Sequence, residues 1–110
     1  MIEIKTDGNG KVLISNEILA VIASKSAKEV EGVVSLVGFG RNRKGVAVQV
    51  TEEGVRLAVS ITVQMGGKLH DIAKAVQSHV KTDVETMTGL TVTEVNVRVS
   101  AVTPENKRKN

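Results

Sequence analysis

The feature that most constrains the fold is a stretch of strict alternation from Val55 to Met65. Successive side chains of a β-strand point to opposite faces, so this pattern predicts a central strand with one buried face. Six apolar side chains contribute a gross burial of about 9–18 kcal/mol, an upper bound because the unfolded chain is partly compact. The apolar positions are Val55, Leu57, Val59, Ile61, Val63 and Met65, and the intervening positions are Arg56, Ala58, Ser60, Thr62 and Gln64.

Shorter strands are predicted on both sides of this one. Alternating apolar residues, separated by turn-forming glycines, mark each of them. Leu90 and Val92 are out of phase with Val95, which predicts either a bulge near Thr93–Glu94 or a strand that starts only after it. The predicted strands are Ile2–Lys5 paired with Lys11–Ile14 as a hairpin, Val33–Val37, Val46–Val50 paired with the central strand as a hairpin, and Val95–Ala101.

Two amphipathic helices are predicted from apolar residues at spacings of three and four. The first begins after Ser15 as N-cap and ends at Gly32 as C-cap. The second begins near Leu69 and ends before Gly89.

Glu29 and Glu31 break a local rule, since acidic groups at a helix C-terminus oppose the helix dipole. The simplest interpretation is local compensation by Lys25 or Lys28, and a functional site is the alternative.

The order β-α-β-β-β-α-β predicts an α+β two-layer sandwich, because each helix has one stripe to bury and each strand one apolar face. We expect a mixed sheet with both helices on one face. A single domain over residues 1–103 and a basic flexible tail over residues 104–110 are expected from the length of 110 residues and from Pro104.

Composition narrows the class of protein. The chain has no cysteine, which excludes disulfides, and one aromatic residue, Phe39, which requires an aliphatic core. No secretory signal and no membrane-spanning segment are visible. Of the net charge of +3, the loop carrying Arg41, Arg43 and Lys44 gives +3 and the tail +2, so the rest of the chain carries −2. Nucleic-acid binding is disfavoured, because such proteins carry a basic face across the folded body.

An ordered set of segments resembles the alkaline shock protein family, the envelope stress response proteins of Gram-positive bacteria. The matching segments are residues 10–23, 29–33, 44–46, 76–77, 87–90 and 95–97, together with the long alternating strand. The resemblance implies a small cytoplasmic domain without known catalysis or cofactor, which self-assembles and acts in envelope stress or membrane-lipid homeostasis. Some members are held at the membrane by a protein partner, and recruitment of this chain to the membrane periphery stays open because it has only a short basic tail.

The glycine-rich loop Gly38–Gly45 is the first candidate contact site. Arg41, Arg43 and Lys44 lie among glycines, a composition that suits a phosphate, a carboxylate or a lipid head group. It is not a Walker loop, because Val46 follows Gly45 where Lys and Ser or Thr are required. The alternative is a solvated connection whose charges serve solubility.

No catalytic or metal site is predicted. His70 and His79 are nine residues apart on one helix, and Asp71, Asp83 and Glu85 do not complete a ligand set with them at a useful spacing. Both histidines are interpreted as ordinary surface residues.

The sheet face opposite the helices is the second candidate site. Arg56, Thr62 and Arg98 are its proposed contacts, with the two arginines expected near each other on adjacent strands. The leading hypothesis is therefore a non-enzymatic homo-oligomer with protein partners. An anion-, lipid- or nucleic-acid-binding module that uses the basic loop and tail is the alternative.

Overall fold

The computed structural model describes residues 2–5, 11–38 and 45–104. Helices and strands follow the predicted order, in an α+β fold. The strands are β1 (Ile2–Lys5), β2 (Lys11–Ile14), β3 (Val33–Leu36), β4 (Val46–Thr51), β5 (Gly54–Gln64) and β6 (Val92–Thr103), and the helices are α1 (Asn16–Lys28) and α2 (Leu69–Thr88).

The alternating stretch forms β5, the centre of a four-stranded mixed sheet. β4 and β3 pair antiparallel with β5, and β6 pairs parallel with it after the α2 crossover. β1 and β2 form a separate antiparallel hairpin, with Ile2 opposite Ile14. The mixed sheet and both hairpins are confirmed.

β3 and β4 share one edge of β5, β4 along its first half and β3 along its second. They meet at Ser60, whose carbonyl accepts from the Val37 N–H and whose N–H donates to the Gly45 carbonyl, both at 2.9 Å. Gly45 has φ +79°, and a Cβ there would lie 2.8 Å from the Val37 carbonyl oxygen. The segment between Val37 and Gly45 therefore starts and ends at one point of the sheet edge.

The helices cover the face of the sheet that carries the odd-numbered residues of β5. Parallel pairing places Leu57 opposite Val95, Val59 opposite Val97 and Ile61 opposite Val99. The core is aliphatic, as the composition requires. It comprises Leu19, Ala23 and Ala27 of α1, Val55, Leu57, Val59, Ile61 and Val63 of β5, Ile72, Val76, Val80 and Val84 of α2, and Val46, Val92 and Val95.

The start of α1 is as predicted, but its predicted end at Gly32 is wrong. Ser15 Oγ accepts from the Ile18 N–H at 3.1 Å, whereas the helix stops at Lys28 with Glu29 as C-cap. Gly32, at φ +100°, lies in the turn to β3, and a Cβ there would approach Ile72 Cδ1 to 2.8 Å. Gly32 therefore allows the turn to pack closely against α2, and it does not cap the helix.

The end of α2 and the entry into β6 follow the prediction. Gly89 adopts φ +76° and its N–H donates to the Glu85 carbonyl at 2.8 Å. The register of β6 shifts at Thr93, which confirms the predicted bulge. A second shift, at Ser100, is not visible in the alternation pattern.

Candidate functional site

The face of the sheet away from the helices, called the outer face here, carries the even-numbered residues of β5 and their cross-strand neighbours. Three rows cross it. They are Gln49–Arg56–Glu94, Ala47–Ala58–Asn96, and Ser60–Arg98. A shallow hollow of about 120 Å³ lies at the first two rows, where Gln49, Arg56, Ala47, Ala58 and Asn96 are among its lining residues.

Arg56 has a partner on the outer face. Its guanidinium lies 3.1 Å from Glu94 Oε1, and the other carboxylate oxygen accepts from the Asn96 amide. These bonds, first that from Asn96 and then that from Arg56, hold the pKa of Glu94 below its ordinary value. The Glu94 carboxylate is therefore fixed in the ionised state at neutral pH.

Arg98 is exposed and makes no ion pair with any residue in the described ranges. It lies opposite Ser60, four positions along the sheet from Arg56, which corresponds to about 13 Å at the rise of a strand. The expectation that the two arginines are neighbours is wrong, because the parallel register pairs Arg56 with Glu94 instead. Arg98 thus presents its positive charge to solvent on the outer face.

Thr62, the third residue expected on this face, is only 7% exposed. Ser60 is 1% exposed, and its hydroxyl shares a hydrogen bond with that of Ser100, the residue at the second register shift. The accessible charged groups of the outer face, among the described residues of β5 and β6, are therefore Arg56, Glu94 and Arg98.

Side chains of α2 cover the beginning of the free edge of β6. Glu85 Oε2 accepts from the Val92 N–H at 2.9 Å, Lys81 Nζ donates to the Val92 carbonyl at 3.2 Å, and Gln77 Nε2 donates to the Val95 carbonyl at 3.1 Å. Unpaired strand edges invite pairing with another chain, and a polar cover of this kind discourages it.

The basic loop residues Arg41, Arg43 and Lys44 lie outside the described residues, as does the tail from residue 105 onward. The prediction that the loop is a contact site stays a prediction. What the structure adds is the anchoring of its two ends at Ser60.

A second group of polar side chains lies between the helices. His79 Nε2 is 2.9 Å from Glu29 Oε1 and 3.4 Å from Asp83 Oδ2. Glu29, His79 and Asp83 are called the helix cluster here. Glu29 and His79 line an open groove of about 450 Å³ together with Val30, Ala75, Ser78 and Thr82. All three side chains of the helix cluster are between about one third and one half exposed.

The helix cluster corrects two interpretations of the sequence. Among the described residues, the side chain that contacts the Glu29 carboxylate is His79 of α2, fifty residues away, and neither Lys25 nor Lys28 makes an ion pair with it. His79 is not an isolated surface residue, whereas His70 is exposed and makes no ion pair within the described part of the chain. The feature of the sequence that could have indicated this cluster was the acidic C-terminus of the first helix.

Neither helix in the described ranges has the length and hydropathy needed to cross a membrane.

Fold and surfaces together define a small α+β domain with one helix-covered face and one polar outer face. A model of the alkaline shock protein 23 family is described as having a cell envelope-related function and matches residues 4–104. The chain belongs to this alkaline shock protein family, which is the one that its sequence resembles.

Two relatives come from Bacillus subtilis strain 168. The uncharacterized protein YqhY is 30% identical over 89% of this chain and 81% of its own length. The uncharacterized protein YloU is 31% identical over 96% of this chain and 98% of its own length. These matches span nearly the whole domain.

Among solved structures, the MamM CTD in its copper form is similar with a TM-score of 0.59 at 14% identity, covering 86% of this chain and 90% of that chain. At this identity the likeness concerns the fold alone.

Proposed function

We propose that this protein is a non-enzymatic cytoplasmic factor in the cell-envelope stress response or membrane-lipid homeostasis. It acts by associating with itself and with protein partners, which hold it at the membrane periphery. Membership of a family with a cell envelope-related function supports the process. The chemistry of the outer face supports the mode of action.

One observation carries the proposal: the outer face has a self-complementary order of charges along β6. Glu94 lies two residues before Asn96 and Arg98 two residues after it. Two copies related by a two-fold axis through Asn96 would place each Glu94 against the partner's Arg98. Contacts of this kind, in which the same patch serves both copies, are the usual basis of homodimers.

The ionisation of Glu94 and the accessibility of Arg98 both suit such a contact. Glu94 is held ionised by its own neighbours and keeps acceptor capacity, since a carboxylate offers about four lone-pair sites. Arg98 makes no ion pair with the described residues and is accessible to a second chain. A small hollow beside Ala58 lets the two faces approach.

The outer face is a better contact than the free edge of β6. Edge pairing through Val92 and Val95 would have to displace the side chains of Gln77, Lys81 and Glu85, which already bond to those backbone groups. Contact through the outer face leaves these bonds intact.

The helix cluster has a geometry that does not suit acyl transfer. In a Ser-His-Asp triad the hydroxyl and the carboxylate contact opposite nitrogens of the imidazole. Here both carboxylates approach the same nitrogen, His79 Nε2. This arrangement does not fit the triad of a serine hydrolase.

Light scattering of the pure chain from micromolar to millimolar concentration tests the proposal. We expect the average mass to rise with concentration for the natural chain and to stay near that of a monomer for Arg98→Glu. Lys74→Glu, a matched charge reversal on the exposed side of α2, should behave like the natural chain. A natural chain that stays monomeric over this whole concentration range would rule out self-association.

A further inference from the structure

Three metal-ligating side chains from two helices converge in the helix cluster. Glu29 comes from the C-cap of α1, and His79 and Asp83 are one turn apart on α2. We propose that these three residues form a binding site for a divalent cation of the zinc type. The site is independent of the outer face and of self-association.

The separations between donor atoms suit a tetrahedral ion. Zinc bonds of about 2.0–2.1 Å to nitrogen and oxygen place neighbouring donors roughly 3.3 Å apart. His79 Nε2 lies 2.9 Å from Glu29 Oε1 and 3.4 Å from Asp83 Oδ2, and all the donor atoms of the group lie within 4.8 Å of one another. The two measured separations are thus close to those that a tetrahedral ion requires.

The electrostatics favour a cation with more than one charge. Two carboxylates face a single imidazole, which contributes at most one positive charge when protonated. Glu29 also caps a helix C-terminus, where the helix dipole adds partial negative charge. A divalent ion compensates all of these groups at once and resolves the unfavourable placement of Glu29.

The donor types indicate which cation fits. One imidazole nitrogen with two carboxylate oxygens suits zinc, whereas magnesium and calcium prefer oxygen ligands alone. The groove is open to solvent beside Ser78 and Thr82, so water can complete the coordination. A bound ion would join the end of α1 to the middle of α2.

Titration of the tag-free full-length chain with Zn²⁺ alone, followed by calorimetry, tests the site. We expect one ion per chain, and binding weakened at least about tenfold in His79→Ala, which removes the nitrogen donor of the cluster. His70→Ala is the matched control, because that histidine lies on the same helix outside the cluster, and its affinity should stay within about twofold of the natural chain. Circular dichroism of each variant verifies the fold.

Two further measurements separate the proposed site from adventitious binding. Glu29→Gln should also weaken Zn²⁺ binding, and Co²⁺ alone should give the visible absorption of a tetrahedral ion in the natural chain but not in His79→Ala. Zn²⁺ should raise the melting temperature of the natural chain by mass action and raise that of His79→Ala less at the same Zn²⁺ concentration. Absence of binding, or equal affinity in the natural chain and His79→Ala, would overturn the proposal, as would equal losses in His79→Ala and His70→Ala.

Discussion

The Nε2 atom of His79 lies 2.9 Å from the Oε1 atom of Glu29, a residue of the other helix fifty positions earlier in the chain. This contact joins the C-terminal end of α1 to α2. An acidic residue at a helix C-terminus, which is unfavourable by itself, is thereby turned into a link between the two helices that cover the sheet.

Replacing His79 with Ala should lower the free energy of unfolding by about 0.2–1 kcal/mol in metal-free buffer, the range measured for exposed ion pairs. The pair is roughly half exposed, so the loss should shrink as salt is added. Urea unfolding of the two single variants Glu29→Gln and His79→Ala, and of the double variant, gives their coupling. Additive losses would show that the contact contributes nothing to stability.

Glu85 should make the stability of the protein sensitive to acid. Bonds from Lys81 and then from the Val92 N–H hold the pKa of the Glu85 carboxyl below its ordinary value of 4.5. A carboxyl with a lowered pKa stabilises the folded state above its ordinary pKa, and this contribution is lost as the pH falls through the lowered value.

The corresponding test compares the free energy of unfolding of Glu85→Gln with that of the natural chain as a function of pH. The variant should be less stable at pH 7, and the difference should narrow below pH 4.5. Glu52→Gln, in the turn between β4 and β5, is the control and should change stability little at any pH. A difference for Glu85→Gln that is the same at about pH 3 as at neutral pH would contradict this interpretation.

Gly45→Ala should destabilise the protein more than Gly89→Ala. Both glycines have similar positive φ values, +79° and +76°, and an alanine at either costs about 1–2 kcal/mol of backbone strain. Of the two, Gly45 is the one where the added Cβ would meet other described atoms, the Val37 carbonyl oxygen at 2.8 Å among them. In thermal unfolding, we expect Gly45→Ala to lose at least about 1 kcal/mol more of the free energy of unfolding than Gly89→Ala. Equal losses in the two variants would show that the contact between β3 and β4 at Ser60 can relax.

The basic loop should be dispensable for self-association. If contact occurs through the outer face, the triple variant Arg41→Ala, Arg43→Ala, Lys44→Ala should have the same concentration-dependent mass as the natural chain. Loss of association in this variant would move the contact to the loop. Binding to anionic vesicles or RNA that falls steeply with salt and disappears in the same variant would favour the alternative function.

Local patterns in the sequence were sufficient for most of the fold. Alternation identified β5, the phase change after Val92 identified the bulge at Thr93, and Gly89 marked the end of α2. Each of these features depends on residues close together in the chain, so each leaves a readable pattern.

Features that depend on distant residues were missed. The parallel register between β5 and β6 decides that Arg56 meets Glu94 and not Arg98. The packing of α1 on α2 decides that His79 meets Glu29, and the approach of Ile72 decides the role of Gly32. Strand register and helix contacts are set by tertiary packing, which spacing along one sequence does not reveal.

Mixing two charge-reversal variants tests the central claim most directly. Glu94→Arg and Arg98→Glu should each be monomeric alone, because every copy then faces a like charge across the two-fold axis. In an equimolar mixture each contact pairs an arginine with a glutamate, so sedimentation velocity should show a heterodimer. Two variants that stay monomeric when mixed, or that associate alone as the natural chain does, would contradict self-association through the outer face.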